Sequence, residues 1–121
     1  MTIAEAIAAA DALRPGNPYS EAQKRAWLMM LDGRIRLEVQ QGDPQTVPVY
    51  PAPEEGTASP TLLVPEPFSE IYPAYLESRI DFADLEWEAY SVSARNYNAL
   101  YDGYAKWYLR GHRPAGGTVT Y

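Results

Sequence analysis

Acidic side chains in the second half of the chain are the first residues whose type and spacing could support chemistry. Asp81, Asp84, Glu86 and Glu88 follow one another closely, and Asp84 and Glu88 share a helical face because they are four residues apart. Acid–base catalysis by two carboxyl groups needs one in an apolar setting and the other in water. A run of acids on a helix is more typical of a solvated face. A hydrolase that uses Asp84 and Glu88 with a divalent metal is therefore the last-ranked hypothesis.

His112 is the only histidine, and it follows Gly111 at the end of a predicted helix. A general base needs an orienting carboxylate and a pocket, and the sequence indicates neither, so a capping role is favoured. The chain has no cysteine, which excludes disulfides, thiolate nucleophiles and zinc–thiolate sites. Calcium-loop spacing and a glycine-rich phosphate cradle are also missing. The sequence predicts no enzyme, no cofactor and no metal site.

Charge limits the partners that we expect. The net charge is −6, and such a surface repels nucleic acid unless a basic patch overrides the average. The one candidate basic patch consists of Lys106, Arg110, His112 and Arg113. Cations are favoured at a helix C-terminus because they complement the helix dipole, which explains the patch; phosphate binding is the alternative. No signal peptide and no apolar segment of about 20 residues is evident, so we expect an intracellular protein that does not span a membrane.

Tyrosines are the most informative residues. The chain has ten tyrosines and three tryptophans. Steps of four and three residues predict one heptad-like seam. Its members are Leu76, Ile80, Ala83, Trp87, Tyr90, Ala94, Tyr97, Tyr101, Tyr104 and Tyr108. Core packing against Trp27, Leu31 and Ile35 explains most of the seam, but a buried row of hydroxyls needs many hydrogen bonds. The excess favours a subunit contact through Tyr97, Tyr101, Tyr104 and Tyr108.

Helix signals bound the elements that position these residues. Thr2 with Glu5 matches a capping box and predicts a helix over 3–13. Ser20 with Gln23 predicts a second helix over 20–41 that Gly42 ends. Trp27, Leu31 and Ile35 form its apolar stripe, and the charged residues lie mostly outside that stripe. These charged residues are Arg25, Arg34, Arg36 and Glu38.

Six prolines between residues 42 and 66 exclude a helix there. Thr46–Tyr50 and Thr61–Val64 are candidate extended pieces. A loop of this length is either functional or a mobile surface segment, and both remain open. We take Val49 and Tyr50 as candidate interaction residues within it.

Pro67 is predicted to be the first residue of a third helix over 67–82, followed by a fourth over 84–110. One long kinked helix is the alternative, because only the acidic stretch between them indicates a bend. The expected fold is all-α: a small bundle of four helices over 1–112, with a flexible C-terminal extension over 113–121.

Three segments carry a resemblance. They are Trp27-Leu-Met-Met-Leu-Asp-Gly-Arg-Ile35, Leu62-Leu-Val-Pro-Glu-Pro-Phe-Ser-Glu-Ile-Tyr72, and Tyr97-Asn98 leading to Trp107-Tyr-Leu-Arg-Gly-His112. In their order these segments, within residues 11–112, resemble small proteins of the head-morphogenesis gene group of long-tailed phages. That family comprises head–tail connector proteins, also called adaptor or head-completion proteins.

The resemblance implies a helical virion protein that forms a ring, a dodecamer, beneath the portal and continues the DNA channel. It implies contacts with the portal protein, with copies of the chain and with a tail-side neck or terminator protein; DNA is passing cargo. The location implied is the virion neck, assembled in the host cytoplasm. Portal docking points to the C-terminal tail, with Val119 and Tyr121 as anchors and Thr118–Thr120 as a strand added to a partner. A neck or tail-completion protein and a generic helical interaction module are the alternatives.

Overall fold

The computed structural model of the chain describes residues 1–112, so the predicted extension over 113–121 lies outside the described residues. It contains four α-helices: α1 (Ile3–Leu13), α2 (Glu21–Arg34), α3 (Ile71–Ala83) and α4 (Trp87–Gly111). A π-helical segment (Ile35–Val39) continues α2, and a short 3₁₀ helix (Pro44–Thr46) follows it. The predicted all-α four-helix bundle is confirmed, and no strand forms within residues 1–112. None of these helices is long and apolar enough to cross a membrane.

Capping places the first two helices where the sequence predicted them. Thr2 accepts a hydrogen bond from the Glu5 N–H while the Glu5 carboxylate accepts one from the Thr2 N–H, which completes the capping box. Ser20 accepts from the Gln23 N–H at 3.1 Å. The second helix ends earlier than residue 41, because the backbone widens into the π-helical turn and Gln41 then adopts a left-handed φ of 53°.

The third helix begins at Ile71, so the prediction that Pro67 is its first residue is wrong. Turns occupy residues 65–70, and the first hydrogen bond of the α-helical type runs from the Ala74 N–H to the Glu70 carbonyl. Pro73, rather than Pro67, lies in the first helical turn. Its missing N–H costs nothing there because first-turn N–H groups have no partner within the helix.

α3 and α4 are separate helices, and the alternative of one kinked helix is excluded. Leu85 adopts a left-handed φ of 59° between them, and the Asp84 and Leu85 N–H groups close the end of α3. This turn exposes Ala83 and Trp87, so the predicted seam is interrupted at its centre. The seam is buried again only within α4.

α3 is the central helix of the bundle and packs against the other three. Most of its apolar residues are buried, as a central position requires, and only Phe82 and Ala83 at its C-terminal end are exposed. α4 packs chiefly on α3 and meets the predicted second helix at its C-terminal end, where Ile35 lies in the π-helical segment and Arg34 lies over the Tyr101 ring. Trp27 and Leu31 are buried in the same core cluster.

The proline-rich segment between Val39 and Ile71 is tied to the bundle. Leu62 and Val64 belong to the core, and Thr61 forms an isolated antiparallel bridge with Thr2. The piece Thr46–Tyr50 forms no strand; it begins in the 3₁₀ turn instead. Arg25, expected on an exposed face, is buried because its guanidinium donates to the Pro51 carbonyl of this segment.

Candidate functional site

The acidic stretch does not form a catalytic pair. Asp81 was expected on a solvated face, but it is buried: its Oδ1 lies 2.8 Å from Arg14 Nε, and its Oδ2 accepts from the Ser93 hydroxyl at 2.8 Å. Burial acts to raise the pKa of this carboxyl, but the hydrogen bonds from Arg14 and Ser93 outweigh it and lower the pKa. The ion pair between Asp81 and Arg14, together with the hydrogen bond from Ser93, therefore has a structural role: it joins α1, α3 and α4.

The remaining acids of that stretch are exposed. Asp84 accepts a hydrogen bond from the Tyr19 hydroxyl at 2.6 Å, and Glu86 and Glu88 lie at the surface. Within residues 1–112, no group of three or more His, Cys, Asp or Glu side chains is placed to hold a metal ion. The geometry gives no support to the hydrolase hypothesis.

His112 is exposed and stacks on Tyr108, with ring centroids 3.8 Å apart and planes within 3°. Its Nδ1 lies 2.9 Å from the Tyr108 carbonyl oxygen, an acceptor that the last turn of α4 leaves unpaired. The side chain therefore occupies a capping position at the helix C-terminus. Lys106, from the same basic group, pairs with Asp102 at 2.9 Å.

The four seam tyrosines share one face of α4 but have two different environments. Tyr97 and Tyr104 are buried in the core, so the prediction that these two residues contact another subunit is wrong. Tyr104 accepts from Gln40 Nε2 at 3.1 Å. Tyr101 and Tyr108 are half-buried at the rim. The Tyr101 hydroxyl donates to Glu38 at 2.9 Å, and burial, followed by this hydrogen bond, raises the pKa of Tyr101 to about 12.

The two loop candidates also differ. Val49 is 82% exposed, whereas Tyr50 is half-buried and donates its hydroxyl proton to Asp32. Val49 therefore remains available to a partner, while Tyr50 holds the loop. The predicted tail residues Arg113, Thr118, Val119, Thr120 and Tyr121 lie outside the described residues.

Asp32 is a buried residue that sequence reasoning missed. Its carboxylate is fully buried and accepts from the Tyr72 hydroxyl at 2.6 Å, from the Tyr50 hydroxyl and from the Leu63 N–H at 3.0 Å. Burial raises the pKa of Asp32, and these hydrogen bonds oppose the rise. The spacing could have indicated its burial, because Asp32 lies four residues after Leu28 and three before Ile35, on the buried face of the helix.

Exposed apolar side chains surround the turn between α3 and α4, and we call this group the apex. Leu85 is 66% exposed and Trp87 is 56% exposed. The Phe82 ring lies 5.6 Å from Trp87 and 5.3 Å from Tyr90, in edge-to-face arrangements. Arg79 lies over Phe82 at 5.3 Å. The apex is an aromatic surface that the described chain leaves open to solvent.

A second aromatic group lies at the other end of α4, and we call it the distal cluster. The Phe68 and Trp107 rings are 4.8 Å apart, and Tyr104 lies 6.1 Å from Trp107. Trp107 and Leu109 are partly exposed there. Because Trp87 and Trp107 are 20 residues apart on α4, the two tryptophans lie about 30 Å apart along its axis.

Comparisons with known proteins found no family model, no curated protein and no solved structure that matches the chain.

Proposed function

We propose that the chain is a structural subunit of a phage head–tail connector, one copy in a ring beneath the portal that continues the DNA channel. The observation that carries the proposal is the presence of exposed aromatic side chains at both ends of α4. A ring subunit needs two different surfaces, because a head-to-tail contact closes by rotation. The resemblance of the three sequence segments supplies the phage setting.

Aromatic side chains are suited to such contacts. Trp and Tyr are enriched in the buried cores of protein interfaces, because they bring a large apolar area with a polar tip. Exposed tryptophan in a monomer loses the benefit of burial, which is about 25 cal/mol per Å² of apolar surface. Trp87 at the apex and Trp107 in the distal cluster are thus the best candidates for contact with other subunits.

The proposed partners are the portal protein, neighbouring copies in a dodecameric ring, and a tail-side neck or terminator protein. The C-terminal tail over 113–121 is the proposed portal contact. A net charge of −6 suits the wall of a channel, because repulsion of the phosphates lets DNA pass without sticking. In this proposal the protein is not an enzyme, binds no cofactor and acts in the neck of the virion.

The test is co-sedimentation of the purified chain with rings of the portal protein encoded in the same genome, followed by negative-stain imaging. We expect an added layer of density beneath the portal with wild type. Deletion of residues 113–121 should remove that layer and leave the helical circular-dichroism signal unchanged. Met30→Ala, a change to one exposed side chain on α2, is the control and should bind portals as wild type does.

Two outcomes would contradict the proposal. Absence of portal binding by the full chain would overturn the connector assignment. Binding to tail tubes or terminator rings instead would move the protein to a neck or tail-completion position in the same particle. Wild-type binding by the deletion variant would overturn only the role of the tail.

A further inference from the structure

α4 leaves one face uncovered along most of its length, and we call it the outer face. It runs from Glu88 to Arg110 and is centred on Ala99. Every residue of that span that lies within about 60° of Ala99 around the helix axis is exposed. The buried residues Tyr97 and Tyr104 lie on the opposite side, where α4 packs on the bundle. The outer face is therefore open to a partner.

Five charged side chains lie on the outer face, and most of them are unpaired within residues 1–112. Lys106 pairs with Asp102 at 2.9 Å. Glu88, Arg95 and Arg110 form no ion pair in that part of the chain. Side chains on a helix reach neighbours three or four residues away, and none of these three has an opposite charge at that distance. The helix therefore leaves these three charges available to another molecule.

The charges of the outer face are arranged symmetrically about Ala99, with opposite signs on its two sides. Glu88 lies 11 residues before Ala99, and Arg110 lies 11 residues after it. Arg95 lies four residues before Ala99, and Asp102 lies three after it. On an antiparallel second copy centred on Ala99, Glu88 is therefore level with Arg110, and Arg95 is within one residue of Asp102. A parallel copy in the same register would place each charge against the same charge, which is unfavourable.

The side-chain sizes on the outer face also suit an antiparallel copy. Ala99 at the centre is small, and a Cβ added at Gly103 would meet nothing within 4 Å. Two helices approach each other most closely where the side chains between them are small. Val92 is 65% exposed, and on an antiparallel copy it lies within one turn of the partner copy's Gly103. Val92 of each copy can therefore fill the gap beside Gly103 of the other.

We propose that the free chain forms a two-fold dimer in which the outer faces of two antiparallel α4 helices pack on each other. Glu88 of each copy pairs with Arg110 of the other, and charge complementarity selects a second copy as the occupant. Few apolar atoms are buried, so the dissociation constant should be about 100 µM and dilute samples are monomeric. The inference goes beyond the proposed function and does not depend on it. Neighbours in a ring turn about one common axis, so this two-fold contact belongs to the chain before it enters a ring.

Disulfide trapping tests the contact, because the chain has no cysteine of its own. Ala99→Cys places a thiol on the proposed two-fold axis, where it meets the same residue of the second copy. Under mild oxidation this variant should cross-link to itself at least about tenfold faster than Ala8→Cys, because docking raises the effective concentration of the thiols. Ala8 is an exposed alanine on α1 and serves as the matched control. Equal rates would overturn the inference.

Charge exchange tests the antiparallel orientation by sedimentation equilibrium in low salt. Glu88→Arg alone and Arg110→Glu alone each place like charges together at both ends of the dimer, so each should raise the dissociation constant at least about tenfold. A mixture of the two variants should dimerise as wild type does, because one chain then carries both positive ends and the other both negative ends. The two positions lie about 33 Å apart in one chain, so an effect within the subunit cannot produce this rescue. A wild type that stays monomeric at about 1 mM, or a mixture without rescue, would contradict the inference.

Portal binding separates the two proposals. Glu88→Arg should add the same layer beneath the portal as wild type, because the ring does not use the two-fold contact. Loss of the layer in this variant would place the outer face in the ring and contradict its assignment to the free dimer. A chain that dimerises through Ala99 but does not bind portals supports this interface and overturns the connector assignment. A monomeric chain that binds portals overturns this interface alone.

Discussion

Asp32 and Asp81 are two buried carboxylates with opposite surroundings. Asp81 is 2% exposed and pairs with the Arg14 guanidinium, whereas Asp32 is fully buried and receives only neutral donors, two tyrosine hydroxyls and one N–H. The pKa of Asp81 is lowered and the pKa of Asp32 is raised from the same ordinary value of 3.8. Burial acts to raise the pKa of both carboxyls and prevails at Asp32, whereas at Asp81 the hydrogen bonds from Arg14 and Ser93 and the charge of Arg14 outweigh it.

The difference also divides structural roles. Asp81 fastens the end of α1 to α3 and α4, where helices meet. Asp32 fastens the proline-rich loop, because Tyr50 and Leu63 lie on its two arms and Tyr72 lies on α3. One carboxylate thus ties both arms of the loop to the bundle, and the following substitutions test the Asp32 and Asp81 anchors separately.

Asp32→Ala should have the largest effect. It leaves the Tyr72 hydroxyl and the Leu63 N–H buried without their acceptor, which should lower the free energy of unfolding by about 3 kcal/mol. Urea denaturation followed by circular dichroism measures the loss. Asp102→Ala, at an exposed surface pair, is the control and should cost less than about 0.5 kcal/mol. A loss below about 1 kcal/mol for Asp32→Ala would mean that the loop is held elsewhere.

Arg14→Met should cost somewhat less, about 2 kcal/mol, because it leaves the buried Asp81 without its cation while water reaches the half-exposed Arg14 position. Arg95→Met, an exposed change on α4, is the matched control and should be near neutral. The same urea titration applies. Equal stability of the two variants would show that the ion pair contributes nothing to the fold.

Tyr50→Phe should cost about 1 kcal/mol, since it removes one of three hydrogen bonds to Asp32 and keeps the ring. The change should also loosen the loop, and hydrogen exchange at the Leu63 N–H measures that. Tyr101→Phe removes a hydrogen bond to the exposed Glu38 and should leave exchange at Leu63 unchanged. Protection at Leu63 equal to wild type in Tyr50→Phe would contradict the anchoring role.

The smallest effect is a difference in pH dependence. Because the pKa of Asp32 is raised on folding, its contribution to stability is full below about pH 4 and declines as pH rises towards the folded pKa. Because the pKa of Asp81 is lowered on folding, its contribution is full above about pH 4 and declines as pH falls through the folded pKa. The difference in unfolding free energy between wild type and Asp32→Asn should shrink with rising pH. That between wild type and Asp81→Asn should shrink with falling pH. Denaturation series at several pH values give both slopes, and slopes of the same sign would refute the assigned surroundings.

Local signals in the sequence predicted most of the fold. Capping residues at Thr2 and Ser20 located two helix starts, because those hydrogen bonds form within a few residues of the chain. The start of the third helix was predicted wrongly at Pro67, because a proline in a turn and a proline in a first helical turn have the same φ angle. Only the hydrogen bonds of residues 65–74 distinguish the two cases.

The candidate surfaces were less predictable because they depend on distant residues. Tyr97 and Tyr101 look equivalent in the seam, but α3 covers Tyr97, and Tyr101 lies at the edge. The sequence pattern indicated that Arg25 is solvated, but in the structure the loop at Pro51 covers it. Burial of a charged residue under a loop leaves no periodic pattern, so the sequence could not show it.

The anchoring of the loop has a consequence for the order of folding. The contacts of Asp32 span 18, 31 and 40 residues of chain, whereas α3 and α4 are consecutive helices joined by a tight turn. Contacts between nearby residues cost less entropy to form, so the α3–α4 hairpin should assemble before the loop closes. Loss of the Asp32 anchor should then accelerate unfolding more than it slows folding. The anchor that fixes the loop sets how long the native state lasts rather than how fast it is reached.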